Sequence, residues 1–491
     1  MKATAKILTL VAVLLGGNAC TDQLNLSPVS QISNASFWKS EDDANGALYG
    51  MYVRLRGEMA SKYFIWGEAR SEAMEPSSGG SAGNEVFYNN VLTRTNSGPT
   101  WQGLYTIVHD ANLILKYAPG ITFKSEAAKN NILAQAHTMR AFVYFIMVRT
   151  WGKLPLVTEP TEGYDAESIQ KERAPVSEIF NLIKSDISKA EGLFPNSQFS
   201  TGRFLWSRPA LLALKADVHL WTGKRLQGGQ SDFSIALAAL EEVEKSDVAL
   251  LENYSRIFDY DNKGNKEIIM AVRFEDIEAG DNEYQNMYSY PGLTPGNLDQ
   301  PTKDALGLLG GYSIWSPSAT LRGQFTNDDQ RKDASFIEMF TIENGVRSYY
   351  SSVVSKFSGT IINGVRRFLD DVVVYRYADV LLMKAEAKNA LGQDPSAEIN
   401  KVRARAYGTA FAAHEFLNGT VEANDSAILK ERLLELSFEG KRWWDVVRFD
   451  KAFELVPSLR NRAGQTDLLL FPISETTLSL EPKVEQNPGY N

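Results

Sequence analysis

The stretch that decides the fold is Ser426-Ala-Ile-Leu-Lys-Glu-Arg-Leu-Leu-Glu-Leu-Ser-Phe-Glu-Gly-Lys-Arg-Trp-Trp-Asp-Val-Val-Arg-Phe449. At about 100° per residue, Ile428, Leu429, Leu433 and Leu436 form one apolar stripe, while Leu434 and Phe438 fall near the opposite side. A helix apolar on both sides is a buried helix. Its charges then need partners: Glu431, Glu435 and Glu439 lie in one row at i,i+4 spacing, where like charges repel unless cations stand close. Arg432, Lys441, Arg442 and Arg448 are the nearest candidates. Asp425 or Ser426 can cap the first turn. Gly440 can take the left-handed conformation that ends a helix, so Trp443 and Trp444 open a new segment at a sharp corner. The two indoles point different ways, into the core. The stretch reads as a core helix with a salt-bridged rim rather than a catalytic site, because buried carboxylates beside arginines are usually structural pairs.

The same residues carry a family resemblance. Glu431-Arg432, Glu435, Phe438-Glu439-Gly440, Arg442-Trp443-Trp444-Asp445 and Arg448-Phe449 resemble the C-terminal signature of the SusD/RagB family. Phe37-Trp38, Asp42-Asp43-Ala44 and the closing Gln486-Asn487-Pro488-Gly489-Tyr490 are similar to that family in kind and order. The resemblance implies an outer-membrane surface lipoprotein that binds a nutrient for a SusC-like TonB-dependent transporter, a barrel of about 22 strands with a plugged lumen.

A chain of 491 residues is long enough for one large core or two to three domains. Its net charge of -9 and lack of any dense Lys/Arg run argue against a nucleic-acid partner. The lone cysteine, Cys20, precludes an internal disulfide and leaves no thiol nucleophile in the globular part. Lys2 and Lys6, the apolar run 7–15 and Gly17-Asn18-Ala19 before Cys20 read as a secretory signal over residues 1–19, too short to span a bilayer. Cysteine at that junction looks like a lipobox, whose thiol is lipidated; several acyl chains hold a protein on a membrane where one is marginal.

Downstream, helical spacing predicts helices near 101–115, 127–151, 177–193, 206–221, 375–391 and 396–406, with Ser40 or Asp42 capping an earlier one. Paired helices with small residues at their crossings suggest degenerate tetratricopeptide-like hairpins, and the resemblance implies the same mainly α, α-solenoid core. The expected division is an N-terminal part over 20–223, a loop-rich inserted ligand-binding subdomain over 224–371, and a C-terminal part over 372–491 that closes the helical core. The loop region 70–100 belongs with the insert.

Catalytic constellations are weak. Gly79-Gly80-Ser81-Ala82-Gly83 matches a nucleophile-elbow string, but its flanks read as loop. His109, His137, His219 and His414 occur singly, without metal-ligand spacing. Adjacent acids at Asp42-Asp43, Asp328-Asp329 and Asp370-Asp371 point to opposite faces of an extended chain and do not supply a glycosidase pair. No cofactor and no metal are expected.

Binding a neutral sugar requires flat aromatic rings for its C–H faces and polar side chains for its hydroxyls. Candidate rings in the irregular regions are Trp66, Tyr88, Tyr284, Tyr288, Tyr290, Tyr312 and Trp315, with Asn89, Asn90, Asn286 and Arg322 as polar neighbours. The expected function is non-catalytic capture of an oligosaccharide for the transporter. Oligopeptide capture, as the resemblance to RagB-type members allows, is the alternative; a glycoside hydrolase and a pure scaffold stand behind both.

Overall fold

The computed structural model describes residues 37–80, 83–163 and 169–490. The expected signal segment, Cys20 and Ser81 lie outside the described residues. The main helices are α1 (Glu41–Met59), α2 (Gln102–Tyr117), α3 (Glu126–Trp151), α4 (Val176–Leu193), α5 (Arg208–Arg225), α6 (Gly229–Val243), α7 (Tyr377–Ala390), α8 (Ser396–Tyr407), α9 (Val421–Leu436) and α10 (Arg442–Arg448). Strands β1 (Met74–Pro76), β2 (Ile268–Val272), β3 (Trp315–Pro317), β4 (Phe336–Glu343), β5 (Val346–Val354) and β6 (Val372–Arg376) are short and paired two by two.

Sequence-adjacent helices pack as hairpins: α1 on α2, α2 on α3, α3 on α4, α5 on α6 and α7 on α8. The solenoid continues where α6 meets α7 and α7 meets α9, across an interruption of more than a hundred residues. Helix α3 is its axis, buried on every side from Thr138 to Trp151. Caps fix the ends: Ser40 and Asp43 form a reciprocal capping box at α1, and Ser125 and Ser207 accept backbone N–H bonds at α3 and α5. The region expected to be loop-rich from 224 opens instead with α6, which packs on α5; irregular chain begins after Val243.

The decisive stretch folds as a buried helix, with two corrections. Helix α9 starts five residues earlier than Ser426 and is capped by Thr420, whose hydroxyl accepts from Ala423 N. The cations facing the glutamate row are distant in sequence. Glu431 meets Arg331 at 2.7 Å and Arg403 at 2.8 Å; Glu435 meets Arg376 at 2.6 Å and Arg331 at 3.1 Å; Glu439 meets Lys356 at 2.6 Å and Arg376 at 2.7 Å. Burial alone would push the Glu435 carboxyl up, but Arg405, Arg376 and Arg331 together hold it well below the usual carboxylate range.

The cations predicted for that row serve other acids: Arg432 binds Asp379 and Asp445, Lys441 binds Asp379, Arg442 binds Glu72, and Arg448 binds Glu386 and Asp217. Trp443 and Trp444 are buried and point apart, the first 4.3 Å from the Arg70 guanidinium and the second 3.9 Å from that of Arg149. The corner at Phe438 and Gly440 has φ of +69° and +73°. Glu68 clamps it, accepting from Phe438 N at 2.6 Å and Gly440 N at 2.7 Å. A Cβ on Gly67 would stand 1.9 Å from Gly440 O, so only glycine allows this approach.

Candidate functional site

The irregular region is closed at its base by β2 and β6, antiparallel with Val372 opposite Val272. It carries the β4–β5 hairpin, turned at Asn344-Gly345, and a smaller hairpin turned at Asn363-Gly364; all four turn residues have positive φ, as a two-residue type I′ turn requires. Its link to the N-terminal part is β1 against β3, with Met74 opposite Pro317 and Pro76 opposite Trp315.

Beyond that strand pair the chains remain stitched together. Ser77 N donates to Ile314 O at 3.1 Å and Gly79 N to Ser313 O at 2.9 Å. From the other side, Tyr312 N donates to Gln285 O at 2.9 Å, Ser313 N to Tyr288 O at 2.9 Å and Ile314 N to Asn286 O at 2.8 Å. Tyr290 N donates to Ser313 Oγ at 2.8 Å. Three irregular segments thus satisfy one another's backbone groups, which is what lets them keep one shape without a sheet. A Cβ on Gly311 would lie 2.1 Å from Tyr288 O, so the stitching depends on glycine there.

The cluster displays Tyr290 and Tyr312, 42 % and 50 % exposed, with ring centroids 6.4 Å apart and planes inclined at 44°. Tyr88 is half-buried, edge-on to Trp315 at 4.7 Å with its hydroxyl 3.5 Å from Ile314 O, two residues from Tyr312, and Asn89 after it is exposed. Under this surface Trp315 is buried and donates Nε1–H to Glu283 Oε1 at 2.8 Å. Burial pushes the Glu283 carboxyl up to about 7, against the hydrogen bonds from Asn286 and Trp315.

Several predicted ligand residues are inside the protein, because their rings belong to the one hydrophobic core that the helices and the irregular region share. Trp66 has no exposed surface and donates to Pro99 O at 3.3 Å. Tyr284 stacks on Phe357 at 3.9 Å, and Tyr288 donates its hydroxyl to Leu306 O at 2.6 Å under the Arg366 guanidinium. Trp315 is the floor just described. Arg322 is occupied by Pro317 O at 3.0 Å, Ser352 Oγ at 3.2 Å and the Tyr349 hydroxyl. Asn90 is buried and accepts from Arg70 Nε at 2.8 Å, while Asn286 turns inward to Glu283.

The weak catalytic strings resolve into structural contacts. A three-residue strand, β1, does precede the Gly79–Gly83 string, but only Met74 of it is buried. His137 pairs with Asp186 and His219 with Asp232, each at 2.7 Å. Asp329 binds Arg331 at 2.8 Å, and Asp371 binds Lys263 at 3.0 Å. Among the described residues no group of three His, Cys, Asp or Glu side chains is placed to hold a metal ion.

Comparisons with known proteins agree over most of the chain. Residues 343–490 match the SusD family, and residues 48–220 match a family described as starch-binding associating with outer membrane. The chain is 29 % identical to SusD-like protein P38 of Formosa agariphila, over 98 % of each. The crystal structure of a SusD superfamily protein from Bacteroides vulgatus is similar with a TM-score of 0.83 and 32 % identity, covering 92 % of this chain and 100 % of that one. A laminarin binding SusD-like protein is similar with a TM-score of 0.75 and 27 % identity, covering 92 % of this chain and 100 % of that one. A capped helical solenoid, closed by the signature corner of residues 431–449 and matched over 92 % of this chain by a relative 32 % identical, makes this chain a member of the SusD family.

Proposed function

We propose that the Tyr290–Tyr312 pair, flanked by Tyr88 and Asn89, is where this protein grips an oligosaccharide, and that it hands the ligand to a SusC-like TonB-dependent transporter while held at the cell surface by lipid on Cys20. A binding, non-catalytic role and association with the outer membrane come with the family. The observation that carries the reading is the exposure of two inclined aromatic rings on loops whose backbone is cross-linked from both sides. Rings held in place bind with little loss of freedom, and a sugar's C–H face fits them. A relative described as laminarin binding and another described as starch-binding support a saccharide ligand. The insert, taken as 224–371, would then carry the ligand, and the helical parts 20–223 and 372–491 would offer a broad rigid face to the transporter.

Titration calorimetry against laminarin, starch and other neutral oligosaccharides, with oligopeptides of similar length, tests the ligand class. Binding of a saccharide without shortened products on chromatography is expected; peptide binding alone, or cleavage, would overturn the reading. Cys20→Ala should move the protein out of the membrane fraction, and unchanged partitioning would remove the lipid anchor.

A further inference from the structure

A cavity that shares no residue with the tyrosine cluster lies between the start of α2, the chain on from α3 and the short helix Glu475–Leu480. It measures about 380 Å³, within the roughly 300–1,000 Å³ of small-molecule sites. Tyr105, Pro155, Val157, Leu480 and Val484 supply most of its apolar wall. Hydrogen bonds hold that wall in place. Tyr105 donates its hydroxyl to Pro155 O at 2.6 Å, and Val157 N donates to the Tyr144 hydroxyl at 2.8 Å. Thr161 N donates to His109 Nδ1 at 3.2 Å, which makes that nitrogen an acceptor, as in the neutral imidazole.

The charges at the cavity are not matched. Lys171 lines it but donates to Leu156 O at 3.1 Å, and Arg173 nearby is spent on the carbonyls of Trp151, Lys153 and Glu485. Glu481 lines it too, half-buried, with surface left for a ligand to touch. Among the described residues its carboxylate has no hydrogen-bond or ion-pair partner, and burial pushes it up with no cation close enough to bring it down. It follows the last turn of Glu475–Leu480, where carbonyl dipoles already favour a positive charge. Tyr105 stands within reach of that carboxylate: burial, the Tyr144 hydroxyl and Glu481 together push its phenol well up, against Arg173.

An unpaired, accessible carboxylate at the negative end of a helix, an aromatic ring near it and apolar walls together describe a cation with an apolar body. We infer that this cavity binds a small organic ammonium ion, whose N–H groups donate to Glu481 while its carbon body lies against Tyr105, Val157 and Val484. A neutral sugar would leave the carboxylate without a counter-charge, so the ligand class differs from that of the Tyr290–Tyr312 surface.

Ligand-observed NMR titrations with three probes of one shape test this: phenethylamine, 2-phenylethanol and 3-phenylpropionate, on the unaltered protein, Glu481→Gln and Glu481→Arg. The unaltered protein is expected to bind the amine at least tenfold more tightly than the alcohol. Glu481→Gln should remove that advantage and leave the alcohol unchanged. Glu481→Arg should reverse the order in favour of phenylpropionate, a switch of preference that loss of fold cannot mimic. Equal binding of amine and alcohol, an amine preference that survives Glu481→Gln, or binding of none of the probes overturns the site. No saccharide enters the test, so its failure leaves the glycan reading untouched.

Discussion

Arg376 ties the β2–β6 closure to the end of α9, donating to Glu435 O at 2.6 Å as well as to carboxylates. It is fully buried at the end of β6 and reaches Glu267 at 2.9 Å, Glu435 at 2.6 Å and Glu439 at 2.7 Å. Removing one member of such a cluster strands the charges of the others in a medium that solvates them poorly. Arg376→Ala should therefore lower unfolding stability by about 3–5 kcal/mol in urea titrations, whereas the exposed Lys245→Ala should change it by less than about 0.5 kcal/mol. A loss under 1 kcal/mol for Arg376→Ala would mean the network contributes little. At this scale the sequence showed that Glu431, Glu435 and Glu439 needed cations, and helical spacing placed them in one row. Which cations they meet was not legible, because Arg331, Lys356 and Arg376 arrive from segments that only the closed fold brings near. The aromatic candidates divided for the same reason: Tyr312 and Trp315 are three residues apart in one irregular segment, yet one is half exposed and the other has no exposed surface.

Among elements, the corner after α9 is the tightest constraint. Gly67→Ala sets a Cβ 1.9 Å from a backbone oxygen of Gly440, and backbone must move to admit it. A large fall in melting temperature is expected; Gly46→Ala, with open space around it in α1, should leave it unchanged or slightly raised. Equal effects of the two would contradict the close approach. The helices were largely legible from periodicity, since an apolar stripe or a fully apolar surface survives reading by eye. The start of α9 was not, because Asn424 and Asp425 look like a loop, although Thr420 three residues before Ala423 is an N-cap signal. Both hairpins were missed despite the Asn344-Gly345 and Asn363-Gly364 dipeptides, the strongest short-range hairpin signal available.

For the whole molecule, buried carboxyls of opposite tendency set the response to pH. Burial pushes Asp370 and Glu283 up to about 7, so between their unfolded values near 4 and about pH 7 the folded state holds protons that the unfolded chain releases. Stability should therefore fall as pH rises through that window. Despite burial, Glu435, Glu439 and Asp379 are held below the usual range by their cations, so their contribution is present above about pH 4.5 and is lost on further acidification. Thermal melts should show a maximum near about pH 4.5, a decline from there to about pH 7 and a steep decline below about pH 4; a monotonic rise to pH 8 would contradict the raised pair. The mainly α core was legible at this scale, but the β2–β6 closure that returns the chain to the solenoid was not, since nothing local marks two buried apolar runs a hundred residues apart as partners.

The central claim is capture by exposed rings on a fixed loop scaffold, and calorimetry on the Tyr290→Ala/Tyr312→Ala variant tests it most directly. With the best saccharide found for the unaltered protein, each ring should account for about tenfold in affinity, or ~1.4 kcal/mol, so the pair should weaken high-affinity binding about a hundredfold at unchanged melting temperature. A double variant that binds that saccharide as tightly as the unaltered protein would contradict the account.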